Sequence, residues 1–403
     1  MTEILQSINN LIEKKSASIN DWFHSQYKRN KPFFYNSVDI RYSGDKISPV
    51  DTNIFPAGFN NLSNKAKEKA RNEILNLVQQ EYPSAQKIVI IAEFHTRNLF
   101  YLENLKTIEN FFLELGKDVK CAYLDLSSEN QILNLKTSSE KEITLYPLQK
   151  KGETVYVNQD FIPDLIIVNN DLTKGKPEIL NHISQPIIPP VEMGWYKRKK
   201  YNNCLAYNHI ASNFAKEFNL DPFLITTELN FCEDVHFNER KGIECIAINV
   251  EKTLNRIQKK YDEFQIKTDP YVYLKANRGT YGMGIMIVHN AEEVLALNKK
   301  NRNKMNIIKN NTLNAEILIQ EGVPTIDTYK SAPAEPFIYI INGQPVGSIL
   351  RINKTRNHLS NLNSSGVEFI EIDSNDIYKA KIPAYCLISK LASLASTQEE
   401  KFD

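Results

Sequence analysis

The sequence has almost no net charge: 49 lysines and arginines stand against 48 aspartates and glutamates in 403 residues. No global basic field is therefore present to hold nucleic acid or an anionic lipid surface. Cysteine is scarce. The five residues, Cys121, Cys204, Cys232, Cys245 and Cys386, are odd in number and form no CxxC pair. That excludes a disulfide framework or a zinc knuckle and fits a reducing, cytoplasmic setting. No apolar run approaches the ~20 residues that span a bilayer, and residues 1 to 15 alternate apolar and polar positions at helical spacing, so neither signal peptide nor membrane anchor is expected. Walker A and Rossmann glycine spacings are absent as well.

What is present is a chain long enough for two or three lobes. Residues 2 to 30 read as an amphipathic helix with Ile4, Leu5, Ile8, Leu11 and Ile12 on one face. From Lys87, the short β-rich runs KIVIIAEF, VKCAYLDL, DLIIVNND and QPIIPP alternate with helical segments, the pattern of a parallel sheet flanked by helices. Residues 191 to 260 are more helical and carry WYKRKKY, either a solvated surface run or a phosphate-contacting segment. Strands return from Tyr271 in the order of an α+β module built on antiparallel sheet. The expected fold class is mixed α+β and α/β. The expected units are 1–70, an N-terminal helix and hairpin; 71–190, an α/β substrate domain; 191–260, a helical connector; 261–310, a glycine-rich flap subdomain; and 311–403, a C-terminal core.

The segment KANRGTYGMGIMIV, residues 275 to 288, ends one β run on Lys275 and places Gly279, Gly282 and Gly284 before the next. Glycines there let backbone N–H groups turn toward phosphate oxygens while Lys275 adds a positive charge, although glycines at a turn are also an ordinary structural feature. Later, ILIQEGV runs a strand through Gln320 and Glu321 into a kink at Gly322 and Val323 that offers backbone groups to a base. Then EPFIYIINGQPVGSILRIN turns at Asn342-Gly343, a strong hairpin signal, and its second strand delivers Arg351. Asn361 and Leu362 follow. This order resembles the ATP-grasp fold, closest to its glutathione synthetase branch. The resemblance implies a nucleotide site of Lys275, the flap Gly279, Thr280, Tyr281, Gly282, Met283 and Gly284, and Gln320, Glu321 and Val323, with Arg351 at the acyl phosphate.

One part of the pattern is displaced. ATP-grasp enzymes place their metal ligands after this point, as an acid followed by a Glu-x-Asn pair, and none follows Gly366. At the other end, VDIRYSGDKISPVDTNIFPAG carries Asp39 and Asp51-x-Asn53. Asp51 and Asn53 at i and i+2 on a strand project from one face and offer hard oxygen ligands, with Asp39 on the partner strand, although Asp and Asn are also turn formers. The fold is therefore expected to be circularly permuted, with its metal-bearing hairpin at the N-terminus.

Together with VDIRYSGDKISPVDTNIFPAGFNNL and KANRGTYGMGIMIV, the stretches EFHTRN, NNDLTKGKP and GWYKRK resemble the proteobacterial glutamate–cysteine ligase family across nearly the whole chain. The resemblance implies an ATP-dependent ligase that joins the γ-carboxylate of L-glutamate to the amine of L-cysteine through an acyl phosphate, the first step of glutathione biosynthesis. Lys275 and Arg351 would be catalytic, Asp39, Asp51 and Asn53 would hold Mg²⁺ (or Mn²⁺), and closure of the flap would exclude water. Substrate contacts are expected from Arg41, Asn60, Arg97, Asn98 and Asn361, with Arg97 favoured over His95 in the βα loop. Asp171 in NNDLT is either a polar contact in the same crevice or a helix cap. The implied partners are small molecules, with no nucleic acid or membrane, for a monomer or a homo-oligomer. Two other readings remain open: a different ATP-grasp amino-acid ligase, glutathione synthetase-like or glutamate-adding, and a non-catalytic nucleotide-binding protein.

Overall fold

A computed structural model describes residues 2–124, 131–278, 284–306, 315–373 and 375–402. The chain opens with α1 (Glu3–Tyr27), whose Ile4, Leu5 and Ile8 are buried. An antiparallel hairpin follows, β1 (Tyr35–Tyr42) and β2 (Ile47–Asn53), and then α2 (Asn64–Glu81), capped by the Ser63 side chain on the N–H of Ala66.

The α/β region contains β3 (Lys87–Ala92), α3 (Leu99–Leu113), β4 (Asp118–Tyr123), β5 (Leu133–Lys136), β6 (Glu142–Pro147), the small hairpin β7 (Gln149–Lys151) and β8 (Thr154–Tyr156), β9 (Leu165–Asn169) and β10 (Ile187–Ile188). Its main sheet runs β10-β9-β3-β4-β6-β5, parallel except for the β5 edge. The central strands β3 and β9 bury every residue but Lys87, which is why they read as continuous apolar runs rather than alternating ones.

Next come α4 (Lys200–Phe218), β11 (Leu229–Cys232) and α5 (Ile243–Glu263), then β12 (Val272–Ala276), β13 (Ile285–Val288), α6 (Ala291–Leu295), α7 (Lys299–Asn306) and β14 (Ile317–Glu321). The sheet order is β11-β14-β12-β13, all antiparallel. Thus β11, inside a stretch that reads as helical, supplies an edge strand, and α5 packs an apolar stripe of Ile246, Val250 and Ile257 on the sheet. Of the expected flap, Gly279, Thr280, Tyr281, Gly282 and Met283 lie outside the described residues. β12 and β13 on either side of them pair antiparallel.

The last strands are β15 (Thr328–Tyr329), β16 (Ala332–Ile341), β17 (Gln344–Ile352) and β18 (Glu368–Glu371), followed by α8 (Asp376–Lys379) and α9 (Ile382–Ser396). The third sheet runs β18-β17-β16-β1-β2, with β15 on β16, so the first hairpin of the chain is completed by strands that all lie beyond Asp327. Strand period 2 divides its faces. Val38, Ile40, Ile338, Ile340, Leu350 and Ile352 pack into one core with α1, α4 and α9. The opposite face carries Ser37, Asp39, Arg41, Glu335 and Arg351. Among the described residues no helix is long and apolar enough to cross a membrane.

Candidate active site

The register of the third sheet builds the site. Asp39 on β1 lies directly opposite Asp51 on β2, and Glu335 on β16 lies opposite Arg351 on β17. Directly opposed residues share a face, so two carboxylates and an ion pair meet on one surface. Arg351 Nη1 donates to Asp39 Oδ2 at 2.8 Å and to Glu335 Oε1 at 2.7 Å. Arg41 Nε donates to Glu335 Oε2 at 3.0 Å. Glu335 thus bridges two guanidiniums; burial drives its pKa up, but Arg41 and Arg351 together outweigh this and hold it below the usual glutamate value. Asp39 goes the other way: burial, helped by Glu335 and Asp51, raises it against the pull of Arg351.

The second sheet contributes Lys275 from the end of β12. Its Nζ donates to the carbonyl of Val50 at 3.0 Å, and burial pushes its pKa down to about 8 although Asp51 opposes the shift. Asp51 accepts from Lys200 Nζ at 3.0 Å through Oδ2. Burial acts to raise Asp51, yet Lys200 and Lys275 bring it below the usual aspartate value. Asp39, Arg41, Asp51, Lys200, Lys275, Glu335 and Asn361 all line one cleft of about 60 Å³.

A larger cavity of about 830 Å³ adjoins it through Asn363 and reaches the carboxyl ends of β3 and β9. Arg351, Asn53, Asn60, Asn98, Glu93 and Asp171 are among its lining residues. Arg351 is 7% exposed, and its Nε has no hydrogen-bond partner. A buried donor of this kind is an expensive arrangement unless a ligand atom completes it.

Several sequence expectations change here. Arg41 lines the cleft, as expected for a substrate contact, and its donors meet Glu335, the Tyr273 hydroxyl and the carbonyls of Leu359 and Ser360. Arg97 is exposed and is not among the cavity's lining residues, because the EFHTRN turn aims Glu93, His95 and Asn98 inward in its place. Asn98 also caps α3 by accepting from Tyr101 N at 3.1 Å. Asn53 faces the large cavity while Asp51 lines the small cleft. At the kink, Glu321 is tied to Lys46 at 2.6 Å and to the N–H of Glu228, and the N–H of Gly322 donates to Tyr271 O at 2.7 Å, so these groups are already spent on the fold. Val323 is fully buried. Gln320 differs: its Oε1 is buried without a partner, and the residue lines a small cavity with Lys275 and Asp51. Gly284 has the expected left-handed conformation, φ 62°, and its carbonyl accepts from Ala276.

Sequence reasoning missed Glu335, a lone acid inside an otherwise apolar strand, whose partners only the sheet register reveals. It also left Lys200 inside an undifferentiated basic run. In that run Arg198 is buried against Glu399 and Lys200 reaches Asp51, so it is not merely a solvated face.

The family model described as glutamate-cysteine ligase matches residues 9–400. The chain belongs to the glutamate–cysteine ligase family. A crystal structure from Methylobacillus flagellatus KT, provisionally named a gamma-glutamylcysteine synthetase, superimposes with a TM-score of 0.91 at 33% identity, covering 99% of this chain and 97% of that one. A glutathione synthetase-like effector from Globodera pallida gives a TM-score of 0.39 at 10% identity, covering 91% of this chain and 80% of that one. D-alanyl-alanine synthetase A from Vibrio cholerae O1 biovar eltor gives 0.34 at 9%, covering 75% and 79%. At those scores neither of the last two adds to the case. No curated protein matches the sequence.

Proposed function

We propose that this glutamate–cysteine ligase activates the γ-carboxylate of L-glutamate as an acyl phosphate where β1, β2, β12 and β17 converge. The observation that carries the reading is the unpartnered Nε of buried Arg351, held by Asp39 and Glu335 within one cleft system with Lys275. A glutamate carboxylate oxygen attacks the γ-phosphorus of ATP and ADP departs. The cysteine amine, having shed a proton, then attacks the activated carbonyl carbon, and phosphate leaves with its oxygen. Lys275 and Arg351 face the charge that accumulates on the transferring phosphoryl group, and the buried setting strengthens both.

The sheet order β18-β17-β16-β1-β2 supports reading the fold as a circularly permuted ATP-grasp fold. The nucleotide would lie between this sheet and β12–β14, with Gln320 Oε1 as an available acceptor for a base. The fit to a divalent ion such as Mg²⁺ rests on the donor set. No group of three or more His, Cys, Asp or Glu residues forms a metal cage among the described residues. Asp39 and Asp51 face each other, however, and Mg²⁺ ordinarily takes one or two carboxylates with phosphate oxygens and water completing its shell. Asp39 and Asp51 would hold the ion, with Asn53 beside them; when bound it neutralises phosphate charge. Arg351 donates to Asp39 and Lys200 to Asp51.

The test is an ADP-release assay with glutamate and cysteine, each omitted in turn, on wild type and Lys275→Ala. Both amino acids should be required, and the variant should lose activity by about 10²-fold or more, as when a single preorganised charge-stabilising group is removed. ADP release that needs γ-glutamylcysteine and glycine instead would refute the assignment.

A further inference from the structure

The large cavity is electrically polarised. Among its described lining residues the one lysine or arginine is Arg351, at the β17 end, where the neighbouring acid Glu368 is paired with Lys354 at 2.8 Å, while Glu93 and Asp171 stand together at the other end. Their positions follow from the sheet: β3 and β9 are parallel neighbours with Ala92 opposite Asn169, so the residues just beyond each strand emerge side by side at the carboxyl edge. Both are held in place. The N–H of Asp171 donates to Glu93 Oε1 at 2.9 Å, the N–H of Glu93 donates to the Tyr101 hydroxyl at 2.8 Å, and that hydroxyl donates to Asn169 O at 2.8 Å. Asn170 Nδ2 bonds Ala92 O at 2.9 Å, closing the same corner. The Glu93 side chain is 17% exposed, and its Oε2 lies 3.9 Å from His95 Nε2.

Paired carboxylates alone specify nothing, but here the unpartnered, buried Nε of Arg351 lines the same cavity from the opposite end. One end therefore asks for an anion and the other for a cation. Resting on the ligase reading above, we propose that Glu93 and Asp171 form the subsite for the α-ammonium group of the carboxylate donor, and that this subsite selects the γ-carboxylate for activation. A donor whose nitrogen is anchored at the Glu93–Asp171 wall keeps its α-carboxylate at that wall. The carboxylate farther along the chain is the one that reaches Arg351. Two neighbouring carboxylates also repel a donor that enters the other way round. Regiochemistry is then set by a fixed negative wall and needs no contact with the reacting carbon.

The experiment compares glutamate with glutarate, the same diacid without the amino group, as donors to cysteine in the ADP-release assay. Wild type should favour glutamate by roughly 100-fold or more in kcat/KM, since a site built to bond a substrate nitrogen discriminates strongly against the analogue lacking it. In Glu93→Gln that ratio should fall by about 10-fold or more, through the KM for glutamate, with KM for ATP and kcat/KM for glutarate within about twofold of wild type. Asp171→Asn should act in the same direction. Equal use of glutamate and glutarate by wild type overturns the proposal without any variant. An undiminished ratio in folded Glu93→Gln and Asp171→Asn, checked by thermal melting, overturns it too, as does a rise confined to the KM for cysteine. If wild type releases no ADP with glutamate and cysteine, it is the underlying ligase reading that has failed, and the subsite falls with it.

Discussion

Lys275 shows how burial prepares a residue for a charged ligand. Its pKa of about 8 against the ordinary 10.5 means that the folded protein holds this proton less tightly than the unfolded chain. A group shifted in that direction destabilises the fold fully below pH 8, and the burden lifts as pH rises from 8 toward 10.5. Lys275→Met, similar in length but uncharged, should therefore melt at higher temperature than wild type at pH 7, and the difference should shrink by pH 10. A constant difference would show that burial does not depress this lysine. Glu335 is the converse case. Removing it as Glu335→Ala leaves Arg41 and Arg351 without their shared counter-charge in a site where all three side chains are 8% exposed or less. Breaking such a buried pair from one side costs about 3–5 kcal/mol, readable in urea unfolding. Lys275 and Arg351 could be singled out in the sequence because each ends or follows a recognisable strand pattern. Glu335 could not, since it is held by Arg351 across the sheet and by Arg41, 294 positions away, and no local pattern reports that pairing.

At the scale of elements, legibility followed periodicity. The apolar runs at β3, β4 and β9 and the Asn342-Gly343 hairpin were readable because each strand is either largely buried or closed by a turn of specific chemistry. β11 was hidden because LNFC is only four residues long and half-exposed, and its strand state comes from pairing with β14. The kink after β14 is legible as a break but not as a contact. Gly322 is there because Tyr271 is packed against it: a methyl group at that position would lie 2.1 Å from the ring carbon Cε2. Gly322→Ala must push the Tyr271 ring, and with it the strand that carries Lys275, out of place. The expected outcome is a loss of about 1–3 kcal/mol in urea unfolding together with reduced ADP release. Unchanged stability would mean that the ring has room to yield.

For the whole molecule, the decisive fact is that the site exists only when the chain ends meet. Arg351 and Asp39 are 312 residues apart in sequence and 2.8 Å apart in space. Closing so long a loop lowers chain entropy before any contact rewards it, and pairings of high sequence separation slow folding more than they alter stability. If the N-terminal hairpin is the displaced end of a continuous nucleotide-binding unit, its position in the chain should be dispensable while its position in the sheet is not. A permutant that begins at Ser63 and carries residues 2 to 62 after Phe402, through a Gly/Ser linker, keeps every strand pairing and brings β1 much closer to β16 in sequence. It should retain ADP release within about tenfold of wild type, because no site residue changes its neighbours, and should refold faster in stopped-flow experiments because the closing loop is shorter. Deleting residues 2 to 62 outright, by contrast, should abolish both folding and activity: it removes Asp39 and Asp51 and uncovers the edge of β16 from Phe337 to Ile341. A permutant that folds but releases no ADP would show that the order of the two ends, and not only their pairing, is built into the site.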